Sequence, residues 1–154
     1  MGIKSEKMNM SDTTDSHGKG EGMFETQADV KLFDTDAAGI LFFANHFRMA
    51  HAAYEAFMKS IGWGLNRVIN ESECLLPLVH AEADYRGKLS LGDEFTISLK
   101  AEVGETSFVL SYAFTDRAGD VVAELQTVHV SVDKKTGTKM PLPEGLRAGL
   151  STIE

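Results

Sequence analysis

The sequence predicts an α+β domain. Three observations carry this: a strand-like alternation from Phe24, a single long helical stretch from about Asn45 to Ile61, and four further alternating stretches joined by short turns. Tight turns make neighbouring strands antiparallel. A lone long helix must then bury its apolar side against the sheet that follows it.

Each element has its own signal. Phe24, Thr26, Ala28, Val30 and Leu32 alternate with Glu25, Gln27, Asp29 and Lys31, the period of a half-buried strand. Asp34-Thr35-Asp36-Ala37-Ala38-Gly39 then reads as a loop, and Asn45 as the helix N-cap. Phe47, Ala50, Tyr54, Phe57, Met58 and Ile61 have helical spacing, and Gly62 ends the run. A shorter helix is expected near Leu65 to Asn70. Leu75, Pro77, Val79, Ala81, Ala83 and Tyr85 share one strand face. Phe95 to Val103 and Phe108 to Phe114 alternate cleanly, and Val121 to Val132 is the long last strand. One five-stranded sheet curved around one helix is the expected product.

Residues 1–22 are polar and Gly-, Ser- and Asp-rich, so they read as a flexible tail. Residues 23–143 form the single domain, and 144–154 a C-terminal tail. Of the 154 residues 43% are hydrophobic and 25% charged, values of an ordinary globular protein. There is no apolar run long enough to span a membrane and no signal-peptide core, so a cytoplasmic protein without a membrane partner is expected. The net charge of −8 argues against nucleic acid as partner, because phosphate contact needs a basic surface. Cys74 is the one cysteine, which excludes an internal disulfide and a multi-cysteine zinc site. Five histidines without ligand spacing predict no metal; His80 and His129 read as hydrogen-bonded strand residues.

The segment "DTDAAGILFFANHF", residues 34–47, sets two carboxylates beside small, flexible residues and an apolar patch, just before a helix start. Helix N-termini carry amide donors without intrahelical partners, and the dipole adds positive potential. Residues Phe43 to Asn45 stand where such donors belong. Gly39 lets backbone pass close to a ligand, and Phe42 and Phe43 can exclude water. Asp36 is the candidate to attack an ester-like carbon or to activate water; the alternative is that Asp34 and Asp36 are turn acids without chemistry. On bare sequence His51 is either a satisfied core histidine or a ligand contact.

Phe33-Asp34-Thr35-Asp36-Ala37-Ala38-Gly39 through Asn45, with the long helix and four strands after it, resembles the hotdog-fold thioesterases of the 4-hydroxybenzoyl-CoA thioesterase (4HBT) family. The likeness runs from about Phe24 to Pro143. Ala50-His51-Ala52-Ala53-Tyr54-Glu55, Leu76-Pro77-Leu78-Val79-His80-Ala81, Gln126-Thr127-Val128-His129-Val130 and Pro141-Leu142-Pro143 extend it to 1,4-dihydroxy-2-naphthoyl-CoA thioesterases of menaquinone and phylloquinone formation. Similar proteins have an acidic residue after the helix histidine, where this chain has Ala52.

The resemblance implies a hotdog fold and hydrolysis of an aromatic acyl-CoA. It places the acting carboxylate at Asp36, with Asp34 holding the loop through an Asx turn, and makes the Phe43 amide the donor to the thioester oxygen. Phe42, Asn45, His51 and Tyr54 become acyl-group contacts, His51 through a ring hydroxyl. Arg86, Lys88, Lys134, Lys135 and Lys139 flank strand ends and are candidates for coenzyme A phosphates. Coenzyme A comes in as part of the substrate, so no cofactor is expected. Pairing into a ten-stranded sheet implies a homodimer, assembling to a homotetramer. Short aliphatic acyl-CoA or acyl-carrier-protein substrates, and a non-catalytic acyl-CoA-binding module, are the alternatives.

Overall fold

The computed structural model describes residues 22–154. All but the last residue of the expected N-terminal tail lies outside the described residues. Strand β1 (Phe24–Asp29) leads through a 3-10 turn at Leu32–Asp34 to helix α1 (Phe43–Ser60) and the short α2 (Leu65–Glu71). Then come β2 (Cys74–Leu75), β3 (Leu78–Tyr85), β4 (Glu94–Val103), β5 (Ser107–Asp116), β6 (Val121–Val130), β7 (Val132–Asp133) and α3 (Glu144–Leu150). Five strands form one antiparallel sheet in the order β1-β4-β5-β6-β3, and β2 pairs with β7 in a separate ladder. One long helix lies against that sheet, the hotdog arrangement implied by the resemblance.

Alternation places the core. Phe95, Ile97, Leu99 and Ala101 of β4 and Phe108, Leu110, Tyr112 and Phe114 of β5 are buried, each two residues from the next. Across from them α1 buries His46, Met49, Ala50, Ala53, Tyr54, Phe57 and Met58 at spacings of three and four. The Phe24 and Phe57 rings meet at 5.5 Å, tying the first strand to the helix. Gly62, at φ +79°, ends α1 in a Schellman motif: its amide donates to Lys59 O and the Trp63 amide to Met58 O.

The structure moves several boundaries. Helix α1 begins at Phe43, with Phe42 as its cap residue; Asn45 is already inside the first turn and is not the N-cap. The long last strand is broken at buried Ser131, so its end pairs with β2 instead of the main sheet. A bulge opposite Thr115 buries both Val122 and Ala123. The segment 144–154 is no tail: Leu146 and Leu150 of α3, and Ile153 after it, are buried in the main core. Strand β3 is a sheet edge with Leu78, Val79 and Tyr85 exposed. No helix among the described residues is long and apolar enough to cross a membrane.

Two buried histidines couple this core to pH. His46 donates from Nδ1 to Phe43 O, and His129 from Nδ1 to Leu76 O. Burial nevertheless pushes both below the usual 6.5. The unfolded chain then binds more protons just below that pH, so this stability is present above about pH 6.5 and is lost as pH falls toward the lowered values. A melting temperature clearly lower at about pH 5.5 than at about pH 7.5 is expected, above the range where ordinary carboxylates titrate. A flat melting profile between the two rules this out.

Candidate active site

The loop before α1 is built around two acids with different tasks. Asp34 is buried; its Oδ2 accepts from the Lys31 amide at 3.0 Å and its Oδ1 from the Arg48 guanidinium. Its carbonyl accepts twice more, from the Phe42 amide and from Asn45 Nδ2, each at 2.9 Å. Asp34 thus bolts the loop onto the first two turns of α1. It is not the expected Asx turn. That turn belongs to Asp36, whose Oδ1 accepts from the Ala38 amide at 2.8 Å and the Ile40 amide at 3.2 Å. Asp36 is exposed, and among the described residues only its Oδ1 accepts hydrogen bonds.

Gly39 closes the turn at φ +73°, a conformation that disfavours any side chain. A Cβ there meets nothing within 4 Å, so the backbone angle rather than crowding within the chain requires glycine. The residues 39–41 are then laid along 89–91: Leu91 N donates to Gly39 O, and Leu41 N to Leu89 O.

The tip of α1 follows at once. Phe43 and Ala44 are its first residues, and their amides have no acceptor among the described residues. Two side chains hold this turn through the Phe43 carbonyl: Tyr85 Oη donates to it at 2.9 Å and His46 Nδ1 at 3.1 Å. The Tyr85 ring also meets the His46 ring edge-on at 4.8 Å. Phe42 and Phe43 are 42% and 61% exposed, so their apolar surface faces outward beside the open amides. An exposed carboxylate, free amide donors and an apolar rim can together activate and polarise a carbonyl compound.

A sequence profile of the thioesterase-like superfamily matches residues 30–150. The chain belongs to that superfamily. A 1,4-dihydroxy-2-naphthoyl-CoA hydrolase of Rippkaea orientalis is 34% identical over 128 residues, 81% of this chain and 93% of the relative. The hydrolase of the same name from Synechococcus elongatus is 34% identical over 126 residues, 80% and 92% of the two chains. In structure, a 1,4-dihydroxy-2-naphthoyl-CoA thioesterase from Synechocystis superposes with a TM-score of 0.80 at 30% identity, over 84% of this chain and 96% of that one.

The remaining candidate residues separate into two groups. Arg86 and Lys88 follow Tyr85 and precede the segment paired with Gly39 to Leu41, so they lie at the Asp36 end; Arg86 pairs there with Glu124. Lys134 is occupied elsewhere. Its Nζ donates to Ile69 O and Ser72 O and closes the C-terminal end of α2. The Lys135 amide belongs to the Asp133 turn beside it, and Lys139 bridges to Val132. Asn45 binds the loop carbonyl of Asp34 through its side chain.

His51 stands about two turns along α1 from Phe43. It is off the buried arc: its side chain is 52% exposed and its Nε2 lies 3.2 Å from Glu55. Tyr54 is buried, as a core residue. His80 is exposed beside Glu82 and His129 is buried against Thr127, both hydrogen-bonded strand residues. No group of three or more His, Cys, Asp and Glu among the described residues could hold a metal ion. Sequence reading passed over His46, Arg48 and Tyr85; the i, i+3 spacing of Phe43 and His46 was a visible signal for the first of them.

Proposed function

We propose that this chain hydrolyses an aromatic acyl-CoA, with 1,4-dihydroxy-2-naphthoyl-CoA, the compound named for its relatives, as the substrate. The observation that carries the reading is the exposed Asp36 carboxylate on a rigid turn directly ahead of the open Phe43 and Ala44 amides. The amides take the thioester oxygen as it gains charge. Asp36 either attacks the carbonyl carbon, displacing the coenzyme A thiolate to give a mixed anhydride that water then cleaves to the free acid, or takes the proton of a water that attacks the carbon and displaces the thiol directly. Nothing in this chemistry needs a cofactor.

Arg86 and Lys88, at the Asp36 end, meet the phosphates of coenzyme A in this proposal. A second copy completes the site. The edge strand β3, with Leu78, Val79 and Tyr85 exposed, supports pairing between copies into a continuous sheet, and the outward-facing Phe42 and Phe43 support a site at their boundary. Dimers assembling to tetramers, at work in the cytoplasm, are the proposed state.

Thiol release over a panel of hydroxynaphthoyl-, benzoyl- and short aliphatic acyl-CoA tests the substrate. The hydroxynaphthoyl ester is expected to lead in kcat/KM; a short-chain ester leading instead overturns the aromatic assignment, and binding without thiol release overturns catalysis. His51→Ala is expected to cost the hydroxylated aroyl ester about five- to tenfold, the value of one hydrogen bond, while sparing the aliphatic ester. Equal loss on both removes His51 from acyl recognition.

A further inference from the structure

The amide donors at the tip of α1 are tied to the sheet through one carbonyl. A peptide unit joins the carbonyl of one residue to the amide of the next, so the open Ala44 N–H belongs to the same planar group as Phe43 O. The Phe43 N–H belongs to the group before it. That group's carbonyl, Phe42 O, accepts from the Asn45 amide at 2.9 Å, inside the helix's own first turn. Phe43 O differs. It accepts from two side chains, His46 Nδ1 at 3.1 Å and Tyr85 Oη at 2.9 Å, and Tyr85 comes from another element, as the last residue of β3.

Tyr85 is held firmly where it stands. Its backbone pairs with Ala123, and the next two amides, of Arg86 and Gly87, both donate to Val122 O at 2.9 Å and close the strand. Its ring meets the His46 ring edge-on at 4.8 Å and the Phe43 ring edge-on at 6.5 Å. Partial burial raises the phenol above its usual 10, so the proton is in place throughout the neutral range. Among the described residues its one hydrogen bond goes to Phe43 O. A bond accepted at the carbonyl of a peptide group draws electron density from the nitrogen and makes the N–H a stronger donor. Bonds in such a chain strengthen one another by about 10–30%.

We infer that Tyr85 is a positioning residue for thioester hydrolysis: its phenol fixes the Phe43–Ala44 peptide group from the sheet side and, by donating to Phe43 O, strengthens the Ala44 amide as donor to the thioester oxygen. This role rests on the function proposed above. Tyr85 acts through the backbone and does not touch the reacting atoms. Charge grows on the thioester oxygen only toward the transition state, so a stronger donor acts on kcat and leaves KM alone. Loss of a whole donor of this kind lowers kcat about a hundred- to thousandfold. Loss of about 10–30% of its strength then lowers kcat about two- to eightfold.

Tyr85→Phe is the test, because it deletes the hydroxyl and keeps the ring against His46 and Phe43. With hydroxynaphthoyl-CoA, kcat is expected to fall about two- to eightfold at unchanged KM. The melting temperature stays close to native, since Phe43 O keeps its His46 bond. Tyr112→Phe is the control. That phenol lies 3.2 Å from Thr127 Oγ1 in the core, so its loss lowers the melting temperature and leaves kcat at the native value. A second readout needs no turnover: in the amide NMR spectrum of the free chain, the Ala44 nitrogen is expected to move upfield in Tyr85→Phe and to stay in place in Tyr112→Phe. Native kcat in Tyr85→Phe, a rise in KM alone, or an equal fall of kcat in Tyr112→Phe overturns this role and leaves the proposed function standing; so does an Ala44 nitrogen that does not move. A native chain that releases no thiol from any ester overturns the proposed function instead, and the Ala44 shift then still decides whether Tyr85 polarises this peptide.

Discussion

An Asp36→Asn chain loses thioester hydrolysis by about a hundred- to ten-thousand-fold while its melting temperature stays close to that of the native chain. The two halves of this expectation have separate grounds. The asparagine keeps an Oδ1, so both hydrogen bonds that fold the turn, from the Ala38 and Ile40 amides, survive. It loses the negative charge, and with it the capacity to attack a carbonyl carbon or to take a proton from water. Asp34→Asn makes the contrast. That carboxylate is buried against Arg48 and the Lys31 amide, so its loss lowers stability first and activity only as the loop loosens. Thiol release and thermal melting on the two variants distinguish the acids. Hydrolysis at the native rate in Asp36→Asn removes Asp36 from the chemistry.

The distinction between these acids was half legible in the sequence. The motif marked both, and its position before a helix marked the amide tip. Which acid folds the loop was not legible, because Asx-turn and buried ion-pair roles use the same residue type and differ only in what lies across the fold. Arg48 is far enough from Asp34 in sequence that nothing local joins them. The helix shows a similar limit. The stripe through Phe47, Ala50, Tyr54, Phe57, Met58 and Ile61 draws His51 inside. Including Met49 and Ala53 shifts it by about one residue and brings in His46 instead. Small side chains bury easily but weigh little in a periodicity. The sheet was read well because its strands alternate; the edge strand β3 was read one-sided because nothing in its own sequence tells that both faces lie open. Lys134 shows the limit for long side chains: its ammonium closes α2, a destination set by the β2–β7 ladder and not by its neighbours in sequence.

The C-terminal segment yields the second large effect. A chain ending at Pro143 is expected to lose cooperative folding. Gly145, Gly149 and the preceding prolines make 144–154 look like a tail, yet Leu146, Leu150 and Ile153 recur at spacings of four and three, one face of a helix. Leu146 and Leu150 are 0% exposed and Ile153 is 4% exposed. The glycines serve the packing: a Cβ on Gly149 lies 3.1 Å from the Ile61 Cβ and 2.7 Å from its Cδ1, so α3 approaches the end of α1 more closely than a side chain allows. Arg147 fastens the far side by donating to Glu105 O at 2.9 Å. Burial of three aliphatic side chains contributes about 1.5–3 kcal/mol each, together comparable to the whole stability of about 5–15 kcal/mol that a small domain has. Removing them also uncovers β4, against which α3 and the residues after it pack. Leu146→Ala alone is expected to cost about 2–5 kcal/mol in urea unfolding with an unchanged slope. A truncated chain that melts cooperatively at the full-length temperature shows instead that the sheet and α1 hold without this helix.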